Sequence, residues 1–294
     1  MTAALASNEQ QVHVLQERLP PARHLQTIAM SAVGCLLLEL ETWPKPGLVS
    51  HIDSGSHEDM DARTFRVSAK AIAPYFHAFV EAGARGCQMA RLRRIGLDAE
   101  AAMLTATAGV NTHRGAIFGL GLLCAAAGIK AADRVDPHLS LGATVAELWG
   151  SSILDGPVLL HSHGSNARLR FGAGGARMEA ALGFPSVYEV GLPALRRCVR
   201  HLPDYAQAAR VEACFALIAE VEDTNLLHRG GLPGLDYARR SAKKFLEEGG
   251  VSVPGWRARA QSIHERFVAR RLSPGGSADL LAYTLFVDSQ ERHA

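Results

Sequence analysis

Residues 65–80, FRVSAKAIAPYFHAFV, decide the fold class: Phe65, Ala69, Ile72, Phe76, Phe79 and Val80 recur at steps of three and four, the signature of one helix face. The spacing repeats upstream in residues 28–40, IAMSAVGCLLLEL, where Ile28, Val33, Leu36, Leu37 and Leu40 share a broad apolar face. Outward from these two, helical patterns are expected over 99–107, 117–127, 140–148, 204–221, 235–248, 256–270 and 277–289. Asp204 after Pro203 and Ser277 after Gly276 read as helix starts, and the Gly249-Gly250 pair as a stop. Strand-like alternation is scarce. The expectation is an all-α, single-domain multi-helix bundle over residues 23–290, preceded by a flexible segment 1–22. Residues 151–193 are its least regular part.

Composition narrows the function classes. Of 294 residues 48% are hydrophobic, ample for a large core. The 31 basic and 29 acidic residues leave a net charge of +2, which gives no dominant field for nucleic acid. Cys35, Cys87, Cys124, Cys198 and Cys214 stand singly with no C-x-x-C pair, the pattern of a reduced, cytoplasmic chain. The first twenty residues hold Glu9 and Glu17 and no apolar core, so no signal peptide is expected. The longest apolar runs are interrupted by Gly or Glu, and no membrane span is expected.

Between the first two helices lies TWPKPGLVSHIDSGSHEDMD, residues 42–61. Pro44 and Pro46 remove backbone donors and fix φ, while Gly47 and Gly55 permit close approach of backbone. Lys45, His51, Asp53, His57, Asp59 and Asp61 therefore sit on an ordered polar loop, suited to polyphosphate and metal. Asp59 and Asp61 either converge on a hard cation or cap turns. Glu39 interrupts the apolar LLLEL, where a buried carboxylate needs a cation; Lys45 either supplies it or binds phosphate. A second acidic group, Glu220, Glu222 and Asp223, precedes TNLLHRGG, and the three-residue spacing of Glu220 and Asp223 lets both face one side of a terminal helical turn. In GVNTHRGAIF, Asn111, Thr112, His113 and Arg114 stand before an apolar helix. That places free N–H groups against an anion, with Asn111 or Thr112 as cap. The Gly172, Gly174 and Gly175 loop before Arg177 lacks the Gly-Lys-Ser/Thr of a P-loop, and the pair His161 and His163 lacks a third zinc ligand.

PKPGLV with the following Gly-Ser-His-x-Asp-Met-Asp run resembles the signature of the triphosphoribosyl-dephospho-coenzyme A synthases. These make the prosthetic-group precursor of citrate lyase and malonate decarboxylase. LRRIG (92–96), AEAAM (99–103), TAGVNTHRGAIF (107–118), GFP (183–185), DTNLLHRGG (223–231) and SPGGSADLLA (273–282) follow in the family's order, so the likeness spans about residues 28–286. The form GGAR-x-EA-x-x-GFP is closer to the malonate decarboxylase branch.

The resemblance implies an all-helical enzyme using ATP and 3'-dephospho-coenzyme A, with Mg2+ on the triphosphate. It implies catalytic roles for Asp61, Asp223 and His113. Substrate binding falls to Lys45, His57, Asn111, Thr112, Arg114, Arg177, Asn225 and Arg229, and metal binding to Glu39, Asp59, Asp61 and Asp223. His113 is the candidate acid for departing adenine, and Ser277 a helix cap with Asp279 in the first turn. Expected partners are a downstream transferase or an acyl carrier protein, with a homodimer allowed. A magnesium-dependent ribosyl hydrolase resembling the ADP-ribosylglycohydrolases, or a helical prosthetic-group chaperone, are the alternatives.

Overall fold

The computed structural model describes residues 19–157, 174–201 and 206–292. His161, His163, Gly172, Pro203, Asp204 and most of the N-terminal segment 1–22 lie outside them. All regular elements among the described residues are helical. In chain order they are α1 (Ala22–Leu40), α2 (Ala62–Ala84), α3 (Met89–Ala106), α4 (Arg114–Ala131), α5 (Leu141–Leu154) and α6 (Gly175–Ala181). After a π-helical turn (Ser186–Gly191) come α7 (Leu192–His201), α8 (Ala206–Glu220), α9 (Thr224–Glu247), α10 (Trp256–Ala269) and α11 (Gly275–Glu291).

The apolar stripe of α2 buries Ala69, Ile72, Phe76, Phe79 and Val80 and packs most extensively on α4, with α1 and α3 on its other sides. Helix α4 is apolar all round, with Leu120, Leu123, Cys124, Ala125 and Ala126 fully enclosed. It is long and apolar enough to cross a membrane, but 72% of it is buried inside the fold, as in a central core helix. The α2–α4 crossing is so close that a Cβ on Gly83 would lie 1.9 Å from the Ala125 carbonyl oxygen, and one on Gly128 2.0 Å from that of Val80. All five cysteines are free thiols.

Several boundaries differ from expectation. Helix α3 begins at Met89 rather than residue 99; in its first turns, MARLRR, only Met89 and Leu92 are buried, and the arginines beside them obscure the stripe in the sequence. Helix α11 begins at Gly275 with Pro274 at its cap position, so Ser277 is inside the helix and is not its cap. Helix α8 ends at Glu220, and Asp223 caps the next helix, so the two do not share a terminal turn. Glu220 instead pairs with Lys243 at 3.3 Å. Helix α9 starts at Thr224, eleven residues before the expected 235, and breaks at Gly231, where φ is 59° and ψ −163°.

Candidate active site

The loop 42–61 is tied down at every turn. The Ser50 and Ser56 N–H groups donate to the carbonyls of Asp53 and Gly47, at 2.9 and 3.0 Å, and the Ser56 hydroxyl donates to the Leu272 carbonyl at 2.6 Å. Gly47 adopts φ +66°, and a Cβ there would fall 2.0 Å from the Leu272 oxygen, so only glycine fits this crossing. From α10, His264 reaches in, 3% exposed: its Nδ1 lies 2.6 Å from the Lys45 carbonyl and its Nε2 3.2 Å from Asp53 Oδ1. Its ring meets Trp43 edge-on at 4.6 Å. The sequence reading gave His264 no role, since nothing local to α10 signals a partner more than 200 residues upstream.

Fixed in this way, Lys45 is fully buried, and its ammonium donates to the Glu39 carbonyl at 2.7 Å and forms a close ion pair with the Glu39 carboxylate. Of the two roles open to Lys45, pairing with Glu39 or binding phosphate, the structure displays the pairing. Burial raises the Glu39 carboxyl above its ordinary range, and Lys45 opposes that rise.

Asp223 is 1% exposed and joins two helix starts. Its Oδ1 accepts from the N–H groups of Asn225 (2.9 Å) and Leu226 (3.3 Å), capping α9. Its Oδ2 accepts from the N–H (2.8 Å) and hydroxyl (3.0 Å) of Ser277 in α11. Two residues further along α11, Asp279 is partly buried and accepts an N–H from Ala116 at the start of α4. Its Oδ2 occupies the space a side chain at Gly115 would fill. Burial raises both carboxyls, and Asp279 is raised further by the charges of Glu39 and Asp223. Three carboxyls from α1, the α8–α9 connection and α11 thus share one region with one ammonium, Lys45. Asn225 lies against Gly275, in the same place.

A second group lies along the first turns of α9. Arg229 donates to the carbonyls of Ser56 and Arg271, both at 3.2 Å, and to His57 Nδ1 at 3.1 Å, while His57 Nε2 contacts the Ser273 hydroxyl at 2.9 Å. Asp59, with a 62% exposed side chain, lies 3.6 Å from His57 Nδ1. Burial and Arg229 depress the His57 pKa, with Asp59 opposing. Asp61 stands apart: it forms a capping box with Thr64 at the start of α2, which holds its carboxyl below the ordinary range. The four carboxylates assigned to metal therefore fall in separate places, Glu39 and Asp223 in the buried region and Asp59 and Asp61 on the loop, and no three His, Cys, Asp or Glu side chains among the described residues converge as a metal site.

The NTHR block is built as a helix start. The Asn111 side chain accepts from the Arg114 N–H at 3.2 Å. The Thr112 hydroxyl donates to that of Ser68 at 2.7 Å, and Ser68 contacts His113 Nδ1 at 2.7 Å. His113 is 4% exposed and meets the Phe65 ring edge-on, and burial lowers its pKa to about 4, which favours the neutral ring. Arg114 is paired with Glu100, its Nε donating at 2.7 Å. Arg177 donates to the carbonyls of Ile153, Leu154, Gly156 and Pro157, closing the C-terminal end of α5.

Comparison with known proteins agrees with this architecture of motifs. The family model for CitG, ATP:dephospho-CoA triphosphoribosyl transferase, matches residues 25–294. A protein of Azotobacter vinelandii is 40% identical over 279 residues, covering 93% of this chain and 94% of its own. One of Stutzerimonas stutzeri is 41% identical over 271 residues (90% and 91%), and one of Vibrio cholerae 37% over 268 (87% and 85%). Each bears the name "Probable 2-(5''-triphosphoribosyl)-3'-dephosphocoenzyme-A synthase". No solved structure matches the chain. With nearly its whole length matched, the chain belongs to the ATP:dephospho-CoA triphosphoribosyl transferase family.

Proposed function

We propose that the protein joins C1 of the ATP ribose to the 2'-hydroxyl of 3'-dephospho-coenzyme A, with the site at the meeting of the α4, α9 and α11 starts. The C1–N bond breaks with its electron pair leaving on adenine, the C1–O bond forms, and the hydroxyl proton is passed on to adenine. The observation that carries this reading is the excess of carboxyl groups over cations at Glu39, Asp223 and Asp279. A ribosyl carbon losing its base becomes oxocarbenium-like, and carboxyl oxygens in a low-dielectric site, whose ionisation that positive charge favours, stabilise it. Asp223 spends both oxygens on four donors and holds the helix starts in place, whereas Asp279, with one N–H from Ala116, has oxygen capacity left for substrate.

Mg2+ fits at the loop rim rather than in a cage of side chains, because Mg2+ on nucleotides takes one or two carboxylates plus substrate phosphates. Asp59 is the one assigned carboxylate that neither caps a helix nor is buried. Bound there, the ion would neutralise phosphate charge. The form GGAR-x-EA-x-x-GFP supports malonate decarboxylase as the destination, with a downstream transferase loading its acyl carrier protein in the cytoplasm. The test is to incubate protein, ATP and Mg2+ with and without dephospho-coenzyme A, following adenine and the coupled product by mass. Adenine release without acceptor would mark a hydrolase and sink the reading.

A further inference from the structure

Arg229 is an exposed guanidinium held rigidly in place, yet every acceptor it bonds is neutral: two main-chain carbonyls and the His57 ring. Among the described residues no carboxylate forms an ion pair with it. The acidic groups around it are Asp59, which faces His57, and Glu58, which reaches the exposed Arg271 at 3.6 Å. A cation oriented by three bonds to neutral acceptors, with Asp59 nearby but not ion-paired to it, is prepared for an anion.

Its position relative to the carboxyl cluster gives that anion a direction. Arg229 lies six residues beyond Asp223 on α9, before the break at Gly231, a rise of about 9 Å. Helix α11 and the residues just before it touch both ends, since Ser277 binds Asp223 and Ser273 contacts His57. One end of this stretch is acidic and the other cationic, and the gap between them is of the order spanned by a ribose and its 5'-phosphates.

We propose that Arg229, fixed by Ser56, Arg271 and His57, receives the phosphate chain of a substrate, which lies along the first turns of α9 with its sugar at the Asp223 and Asp279 end. The inference rests on the reading of the carboxyl cluster as the sugar end. It assigns a polarity to the site that the family reaction does not specify.

Inorganic tripolyphosphate, titrated calorimetrically into the full chain, is the probe. Wild type binds it; Arg229→Met weakens it about tenfold, the worth of one partly solvated charge-assisted contact. Arg229→Lys, which loses the same two-carbonyl fork but keeps the charge, recovers most of the affinity. Displacement of ATP but not of dephospho-coenzyme A by tripolyphosphate identifies the ATP triphosphate as the chain; the reverse identifies the diphosphate of the acceptor. Wild-type affinity in Arg229→Met, no binding by wild type, or losses in both variants that track a fall in melting temperature would each overturn the proposal. Adenine release separates the two levels: if it persists while tripolyphosphate ignores Arg229, only this assignment fails; if wild type releases none, the reaction assignment itself fails.

Discussion

Replacing Lys45 by Met separates the two roles the sequence allowed it. The side chain is fully buried and its Nζ serves both the carbonyl and the carboxylate of Glu39, itself 6% exposed. Removing one partner of such a pair leaves a buried charge uncompensated, which typically costs about 3–5 kcal/mol. The loss of the bond to the Glu39 carbonyl is included in that range. Glu39 can escape by taking a proton, since burial already raises its carboxyl and only Lys45 opposes the rise. The penalty of Lys45→Met is therefore smaller at pH 5 than at pH 8, because acid supplies the neutral form the site tolerates. Adding Glu39→Gln to Lys45→Met should recover much of the loss, and the cycle should show a coupling of about 2 kcal/mol or more. Denaturant unfolding of the four proteins at both pH values measures this. Wild-type stability in Lys45→Met combined with weakened ATP binding would refute the reasoning and return Lys45 to the phosphates.

His113 makes a pH prediction of definite sign. Its folded pKa of about 4 lies below the ordinary 6.5, so the unfolded chain binds a proton there that the folded chain refuses. This contribution is fully present above pH 6.5 and is lost as pH falls toward 4, reaching about 3 kcal/mol. Stability measured against pH for wild type and His113→Gln should converge as acid is added; a constant difference between them would sink the assignment. Dephospho-coenzyme A should be a far better acceptor than coenzyme A, whose 3'-phosphate would bring a dianion beside carboxyls at Asp223 and Asp279. Comparable kcat/KM for the two acceptors would contradict the placement of the acceptor hydroxyl there.

The fold was legible wherever a helix has one wet face and one dry. The stripe of α2 stands in the sequence at the residues the structure buries, and α10 begins at the expected Trp256 and ends within a residue of the expected 270. Helix α4 was underestimated because it is apolar on all sides and leaves no stripe to follow. The first half of α9 was hidden by Gly230, Gly231 and Pro233, which read as loop even though Asp223 makes the preceding turns a well-capped helix. Candidate site residues were legible as residue types in motifs, but their partners were not. The contacts of Ser277 with Asp223, His264 with Lys45 and Arg229 with Ser56 join segments 54, 219 and 173 residues apart, and no periodicity encodes such distances.

Those long-range partners decide which of two competing roles each polar residue plays. Capping and ligand binding draw on the same lone pairs and N–H groups, so a residue's remaining capacity is a physical measure of its availability. Asp223 has committed both oxygens and Asp61 its Oδ1 to helix starts, Arg114 is committed to Glu100, and Lys45 to Glu39. Asp59, Asp279 and Arg229 keep capacity: Asp59 faces His57, Asp279 accepts one N–H from Ala116, and Arg229 is held by neutral acceptors. The committed residues fix the frame, and the uncommitted ones present charge to whatever enters it. A polar substrate with phosphate at one end and a reacting sugar at the other matches that arrangement of charge, and a neutral or uniformly anionic ligand does not.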